Sequence, residues 1–246
     1  MKLARLPDGS PEIFRTLQGE GPSIGCPAVF LRLSLCNLHC SWCDTPFTWN
    51  WEGTPWPHSD DRKYVKNDHL IEQTIAELTP LLEKSAREGD RLVITGGEPL
   101  LQQTEIVNLL DSIPPLFSAI EIETNGTQLP IASLDPKIAQ YNVSPKLANS
   151  HNSAELRIQE EALQFLASSE KAFLKFVVLT KDDLSEILAL QARFQLSPQR
   201  ILLMPEGRTP SALAKNRHWI AQTCLEHGFR LTDRLHVQLW GDERGR

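Results

Sequence analysis

The sequence lacks any apolar run that approaches the ~18 consecutive residues needed to cross a membrane. Its first residues, MKLARLPDGSPEIF, do not contain the apolar core of a signal peptide. We therefore expect a cytoplasmic protein with no membrane partner. An excess of positive charge is also missing, since 25 Lys and Arg stand against 31 Asp and Glu. The net charge of −6 argues against a broad phosphate-binding surface and against direct binding of nucleic acid.

Internal repeats and low-complexity tracts are absent, and cysteine is scarce. The five cysteines are Cys26, Cys36, Cys40, Cys43 and Cys224. An odd number, with three of them close together, argues against a secreted disulfide framework and indicates reduced thiols. We expect Cys26 and Cys224 to be ordinary structural thiols.

Apolar segments of two kinds alternate along the chain, and the apolar content of 41% is ample for a core. A loop insert at about residues 49–68, rich in Trp, Pro and charge, precedes LIEQTIAELTPLLEKSARE, which is predicted to be one helix. Continuous apolar strands such as RLVIT, AIEIET, AFLKFVVL and RILLM follow between helices, and LHVQLW is predicted to be the last strand. This pattern predicts an α/β fold with a parallel sheet, most simply a partial (incomplete) parallel (β/α) barrel, in a single domain over residues 1–246.

Polar segments, several of them rich in glycine, follow five of the predicted strands. They are CNLHCSWCDT after VFLRLSL, TGGEP after RLVI, TNGT after IEIE, SPK after YNV and PEG after ILLM. The carboxyl ends of parallel strands meet at one edge of a barrel or open sheet, and active sites lie there. The sequence therefore predicts one active site built from five separate loops.

Three of the cysteines, Cys36, Cys40 and Cys43, lie within eight residues. A structural zinc site needs four ligands, and His39, between two of the cysteines, is poorly placed to close the same site. Zinc with a distant fourth ligand remains one interpretation. The other is a 4Fe-4S cluster, for which three thiolates would leave one iron open to a ligand.

The spacing Cys-x3-Cys-x2-Cys, with Trp42 before the last cysteine, resembles the signature of the radical S-adenosylmethionine enzymes. The segment TGGEPLLQ strengthens the resemblance, and its two glycines would let backbone approach a ligand closely. The resemblance implies a 4Fe-4S cluster on Cys36, Cys40 and Cys43, with S-adenosylmethionine chelating the fourth iron. It also implies that an electron from the cluster cleaves the sulfonium to give a 5'-deoxyadenosyl radical.

A much longer segment, EIFRTLQGEGPSIGCPAVFLRLSLCNLHCSWCDT, closely resembles one member family, the 7-carboxy-7-deazaguanine synthases. Further matches are IEIETNGT, NVSPKLA, KFVV, LMPEG and RLHVQLWGDERGR, so the resemblance covers most of the chain. These enzymes convert 6-carboxy-5,6,7,8-tetrahydropterin to 7-carboxy-7-deazaguanine by radical ring contraction with loss of ammonia. The resemblance thus implies a carbon-nitrogen lyase of queuosine and 7-deazapurine biosynthesis, in which S-adenosylmethionine is regenerated.

The family resemblance implies roles for further residues. Thr45 would give its hydroxyl to a Mg2+ ion that also meets the substrate carboxylate. The residues implied to bind S-adenosylmethionine are Trp42, Cys43, Asp44, Gly97, Ser144, Pro145, Lys146, Leu203, Met204, Pro205 and Glu206. Those implied to bind the substrate are Leu17, Gln18, Gly19, Glu20, Arg32 and Thr95. An unpaired charge in an apolar strand is costly, which independently favours a functional role for Arg32.

The family also implies partners. We expect a small pterin substrate, a reducing electron donor such as flavodoxin or ferredoxin, and a homodimer. Two other interpretations are a glycyl-radical activating enzyme, which shares the three-cysteine motif, and a non-catalytic zinc module. The long upstream match disfavours the first, and metal analysis after anaerobic reconstitution would separate the second.

Overall fold

The computed structural model describes all 246 residues, which form ten strands and eight helices. The strands are β1 Lys2–Ala4, β2 Ile13–Leu17, β3 Pro27–Leu33, β4 Leu70–Glu72, β5 Arg91–Gly96, β6 Ala119–Thr124, β7 Gln140–Val143, β8 Ala172–Val178, β9 Ile201–Pro205 and β10 Arg230–Leu231. The helices are α1 Lys66–His69, α2 Ile75–Ser85, α3 Gln103–Ser112, α4 Ala154–Arg157, α5 Glu160–Ser168, α6 Asp183–Phe194, α7 Pro210–His227 and α8 Leu235–Trp240. Short 3-10 turns occur at Pro46–Thr48, Pro99–Gln102, Asp135–Lys137, Ala148–Ser150 and Pro198–Arg200.

Two helix starts follow directly from local sequence. Thr74 and Glu77 form a reciprocal capping box at the start of α2, each side chain accepting from the other's backbone N–H. The Thr209 hydroxyl accepts from the N–H of Ala212, and Pro210 takes the first position of α7, where no hydrogen bond is lost.

All strands belong to one open, mixed sheet. Its order is β10-β9-β8-β7-β6-β5-β3-β1-β4, and β2 pairs with β3. Seven strands, β3 and β5 to β10, run parallel to one another, whereas β1 and β2 pair antiparallel with β3 and β4 pairs antiparallel with β1. The structure confirms the α/β prediction and the predicted parallel strands. The three short antiparallel strands were not predicted.

The two faces of the parallel strands differ in character because successive side chains point to opposite faces. One face contributes apolar side chains, such as Ile94, Ile122 and Phe176, to a core of 33 buried residues that it shares with the helices. On the other face lie polar residues of the same strands, among them Arg32, Thr95, Glu123, Asn142 and Lys175. This second face therefore carries the polar residues of the parallel strands, beside a small apolar cluster of Ala28, Phe30 and Val93.

Two predicted elements were wrong. The segment LHVQLW forms α8, not a strand, and of its three alternating apolar residues only Val237 is buried while Leu239 is 51% exposed. A run this short cannot be assigned by periodicity alone. The predicted helix LIEQTIAELTPLLEKSARE begins instead with strand β4, which pairs with β1, and α2 starts at Ile75. None of the helices combines the length and apolarity required for a membrane span.

Candidate active site

A single cavity of about 490 Å³ lies against the polar face of the sheet, at the carboxyl ends of its parallel strands. The loops after β3, β5, β6, β7 and β9 all reach it, as the sequence predicted. It gathers almost every residue to which a role was assigned. Lining it are Leu17, Gln18, Gly19, Glu20, Arg32, Cys36, Cys40, Trp42, Cys43, Asp44, Thr45, Thr95, Gly97, Ser144, Lys146, Met204, Pro205 and Glu206.

The two exceptions are Leu203 and Pro145. The Leu203 side chain lies in the hydrophobic core because it alternates along β9 with Met204, which does line the cavity. Pro145 is buried between Ser144 and Lys146 without reaching the cavity wall. A role for Leu203 in ligand binding can therefore involve only its backbone.

Three free thiols, those of Cys36, Cys40 and Cys43, lie at one end of the cavity. Each sulfur has an N–H donor close to it. The Leu38 amide lies 3.5 Å from Cys36 Sγ, the Asn152 amide 3.4 Å from Cys40 Sγ and the Trp49 indole N–H 3.4 Å from Cys43 Sγ. Hydrogen bonds to sulfur stabilise thiolates and tune iron–sulfur clusters.

Burial raises the pKa of all three thiols, that of Cys40 to about 11. No group of three or more His, Cys, Asp or Glu side chains converges on a point where one metal ion could bind. Cluster ligands, by contrast, each bind a different iron. Three thiolates with donors aimed at their sulfurs therefore fit a 4Fe-4S cluster with one open iron.

Two glycines after β5 form the neighbouring wall. A Cβ at Gly96 would overlap the carbonyl oxygen of Leu33, and one at Gly97 would overlap that of Leu35 and crowd Cys36. Glycine is thus required where this loop passes residues 34–45, which carry the three cysteines and are called the cysteine loop below. The next residue, Glu98, is fully buried and accepts hydrogen bonds from the Leu100 amide, the Asn125 amide and the Thr124 hydroxyl. It orders the loops after β5 and β6.

Lys146 provides a positive charge near the cysteine loop. Its Nζ donates to Ser144 Oγ at 2.9 Å and lies 5.6 Å from the centroid of the Trp42 ring. The three residues, assigned together from the sequence, are therefore neighbours.

Other residues that line the cavity are suited to hydrogen-bond a heterocycle and a carboxylate. Glu123 accepts from Gln18 Nε2 at 3.1 Å and from Thr95 Oγ1 at 2.7 Å, so the three side chains form one polar unit. Arg32 donates from Nε to Glu12 at 2.8 Å, and its guanidinium lies 5.9 Å from the Phe14 ring centroid.

Glu20 belongs to a buried network of charges. It pairs with Lys175 and Arg234, and Arg234 also pairs with Asp44 and donates to the Gly207 carbonyl at 2.8 Å. Burial opposes ionisation of Glu20, but the two cations hold its pKa well below its usual range. One guanidinium thereby joins the loops that carry Glu20, Asp44 and Gly207.

Several cavity residues were missed from the sequence, namely Glu12, Glu123, Lys175, Arg234 and His236. Glu123 and Lys175 carried a usable signal, since each is a charge within an apolar strand, as Arg32 is. No role was predicted for His236 because the seven histidines show no ligand spacing along the chain. Its ring packs against Gly19, where a Cβ would overlap it, and burial lowers its pKa.

The insert packs onto the cysteine loop. Trp49 and His58 are buried, and a ring nitrogen of His58 lies 2.8 Å from the carbonyl oxygen of Cys43. His39 stacks on Trp56 with ring centroids 3.9 Å apart. Residues 49–68 therefore pack against the loop that carries the three cysteines, and Trp49, Arg62 and Tyr64 of this insert also line the cavity.

Comparison with known proteins agrees with this geometry. Residues 17–164 match the sequence family described as "4Fe-4S single cluster domain". The chain is 37% identical to the 7-carboxy-7-deazaguanine synthase of Halobacterium salinarum, covering 94% of this chain and 90% of that protein. It is 33% identical to the synthase of Pyrobaculum aerophilum, with 96% of each chain covered. The crystal structure of QueE from Escherichia coli matches with a TM-score of 0.66 and 28% identity, covering 96% and 95% of the two chains.

Proposed function

The chain belongs to the 7-carboxy-7-deazaguanine synthase family, and on that premise we propose how its cavity performs the family's reaction. The enzyme is a radical S-adenosylmethionine lyase that converts 6-carboxy-5,6,7,8-tetrahydropterin to 7-carboxy-7-deazaguanine with loss of ammonia, in queuosine and 7-deazapurine biosynthesis. We propose that its open mixed sheet is the incomplete (β/α) barrel of that superfamily, in a single domain over residues 1–246 that includes the insert.

One observation carries the proposal. Three thiols with N–H donors at their sulfurs share a cavity with an arginine whose two terminal nitrogens are free of protein partners. In this proposal the cluster site and the carboxylate site thus lie in one cavity. Such a pairing suits a radical reaction on a small carboxylated substrate, for which the reacting groups must be held together and away from water.

The cofactors are a 4Fe-4S cluster and S-adenosylmethionine, which together supply the reducing electron and a 5'-deoxyadenosyl radical. Cys36, Cys40 and Cys43 hold the cluster in this proposal. Lys146 pairs with the methionyl carboxylate, Ser144 keeps the Lys146 ammonium in place, and Gly97 lets backbone approach the methionyl group. Trp42, Asp44, Met204, Pro205 and Glu206 complete this end of the cavity.

The substrate residues divide by chemistry. Gln18, Thr95 and Glu20 present donors and acceptors to the pterin ring, with Leu17 and Gly19 forming the adjoining backbone. Arg32 receives the carboxylate through its terminal nitrogens, which have the fork geometry that a carboxylate prefers. The buried cations Lys175 and Arg234 keep Glu20 ionised, so that it acts as an acceptor.

Mg2+ is proposed to bind at Thr45. Its hydroxyl lies 3.6 Å from Cys43 Sγ, and the residue lines the cavity. Mg2+ commonly uses few protein ligands and completes its octahedron with water and ligand oxygens. Thr45→Val keeps the side-chain shape without the hydroxyl, so its turnover should require much more Mg2+.

The remaining partners are proposals from the family. We propose a one-electron donor such as flavodoxin or ferredoxin, a cytoplasmic location and a homodimer. The insert contacts the cysteine loop through His58 and Trp56, and we propose it as a surface on which the electron donor docks.

The carboxylate assignment is tested with Arg32→Ala and Arg32→Lys in anaerobically reconstituted enzyme. Both should keep about four irons per chain. Arg32→Ala should raise the substrate KM at least tenfold, and Arg32→Lys should rescue it only in part because lysine cannot bind bidentately. An unchanged KM in Arg32→Ala removes Arg32 from the site and this substrate assignment with it.

A further inference from the structure

The fully buried carboxylate of Glu12 joins two arginines from distant parts of the chain. Its Oε1 accepts from Arg32 Nε at 2.8 Å, and its Oε2 accepts from Arg244 Nε at 2.7 Å. Arg32 belongs to β3, whereas Arg244 belongs to the C-terminal tail, residues 241–246, which lies along the cavity. Each carboxylate oxygen is thus used by a different guanidinium.

Arg32 is held in a particular way by this arrangement. Only its Nε bonds to Glu12, the Phe14 ring lies beneath its guanidinium, and neither terminal nitrogen has an acceptor in the protein. Its side chain is 18% exposed, and that exposure is into the cavity. The fork of Arg32 is therefore available to a ligand.

Arg244 is fixed independently of Arg32. Its guanidinium lies 3.8 Å from the centroid of the Phe47 ring, and its Nη2 donates to the Arg5 carbonyl at 2.8 Å. Phe47 belongs to the turn that follows Thr45. Arg244 thus ties the tail to the loop after the cysteines and to the N-terminal segment.

We propose that Arg244 is a positioning residue for substrate recognition, an inference that rests on the proposed function of Arg32. An arginine beside a free carboxylate prefers two parallel hydrogen bonds. If Arg244 left Oε2, Arg32 would turn to bind both oxygens of Glu12 and would withdraw a terminal nitrogen from the cavity. By occupying Oε2, Arg244 keeps the terminal nitrogens of Arg32 directed at the ligand carboxylate. Because the single negative charge of Glu12 faces two arginines, one positive charge is left to pair with the ligand carboxylate.

The test compares two stable probes, 6-carboxypterin and pterin, which differ only in the carboxylate. Their dissociation constants are measured with anaerobically reconstituted wild type, Arg244→Gln and Arg244→Lys. The dissociation constant of pterin divided by that of 6-carboxypterin reports carboxylate recognition alone. We expect Arg244→Gln to reduce the wild-type ratio about tenfold, or roughly 1.4 kcal/mol. Arg244→Lys still occupies Oε2 and should keep the ratio within about threefold of wild type, while Arg193→Gln, a surface pair with Glu160, should leave it unchanged.

The inference is overturned if both probes weaken equally in Arg244→Gln, which would show a purely structural role, or if neither changes. Arg244→Met keeps the contact with Phe47 without bonding Glu12, and it replaces Arg244→Gln if that variant does not fold. Failure of the proposed function is distinct, because it shows in the wild type itself as lack of turnover. A wild type that turns over substrate while Arg244→Gln keeps its full ratio contradicts only the role of Arg244.

Discussion

Arg234 donates a hydrogen bond from Nε to the Glu20 carboxylate across 3.0 Å, although 214 positions separate the two residues in the chain. The same guanidinium pairs with Asp44, one residue beyond the last cysteine of the cluster loop. The loop that carries Glu20 and the loop that carries the cysteines are therefore joined by a residue near the C-terminal end of the sequence. Binding at one of these loops is expected to depend on the order of the other.

Arg234→Gln should destabilise the protein strongly. The Arg234 side chain is 8% exposed. Its loss removes a positive charge that neutralises the carboxylates of Glu20 and Asp44. Breaking a buried ion pair from one side costs about 3–5 kcal/mol. Denaturant unfolding measures the change, with Arg193→Gln as a surface control that should cost less than about 1 kcal/mol. Equal effects of the two variants would contradict a structural role for the Arg234 network.

The pairing of Glu20 predicts a pH dependence. Its pKa in the folded protein is depressed below the ordinary value of 4.5, so the unfolded chain binds the extra proton in acid. The stabilisation from the pairing of Glu20 is fully present above about pH 4.5. It is lost as the pH falls toward the pKa of Glu20 in the folded protein. The wild type should have a larger free energy of unfolding than Glu20→Gln. This difference should therefore shrink below pH 4.5, by at most about 1.4 kcal/mol per pH unit. Glu83→Gln, at an exposed position, is the control. A difference in unfolding free energy between wild type and Glu20→Gln that stays constant down to pH 3.5 would refute the pairing.

Gly97→Ala should disrupt the cysteine loop. The new Cβ would overlap the Leu35 carbonyl and crowd Cys36, neither of which can move without shifting the loop. We expect a loss of at least about 2 kcal/mol of stability, as is typical of overpacking, together with less iron per chain after reconstitution. Gly53→Ala is the matched control, because its Cβ meets no atom within 4 Å and only its backbone conformation is strained. Full iron content in Gly97→Ala would show that the loop tolerates the shift.

Removing any one thiol of the three should abolish the cluster. Cys36→Ala, Cys40→Ala and Cys43→Ala are each expected to lose reconstituted iron and all turnover, since a cubane needs its three protein ligands here. Cys26→Ala, which alters a free thiol outside the cavity, should keep both. Iron analysis and turnover report the two effects separately. Turnover retained in any of the three variants contradicts that ligand assignment.

The sequence predicted the parallel strands and the convergence of their loops because buried strands and polar loop motifs are local patterns. It did not predict β1 and β4, which have three residues each and pair with each other across the chain, as Leu3 does with Ile71. It also did not predict β2, a five-residue strand that pairs antiparallel with β3. The pattern LHVQLW predicts a strand where α8 forms, because six residues are too few to distinguish the strand period from the helix period.

The candidate site was predictable where the motifs were contiguous. Cys36, Gly97 and Lys146 belong to recognisable segments, and all three line the cavity. Glu12 and Arg234 were not predictable in the same way, since their roles come from partners such as Arg244 and Glu20 that lie more than 200 positions away. The spacing of residues along the chain does not indicate such pairs.

Identification of the product tests the central claim most directly. Anaerobically reconstituted protein is incubated with S-adenosylmethionine, Mg2+, a reductant and 6-carboxy-5,6,7,8-tetrahydropterin, and the products are followed by mass. The account predicts 7-carboxy-7-deazaguanine over many turnovers, without matching consumption of S-adenosylmethionine. Cleavage of S-adenosylmethionine with the pterin left intact would contradict the substrate, and absence of any cleavage would contradict the radical chemistry as well.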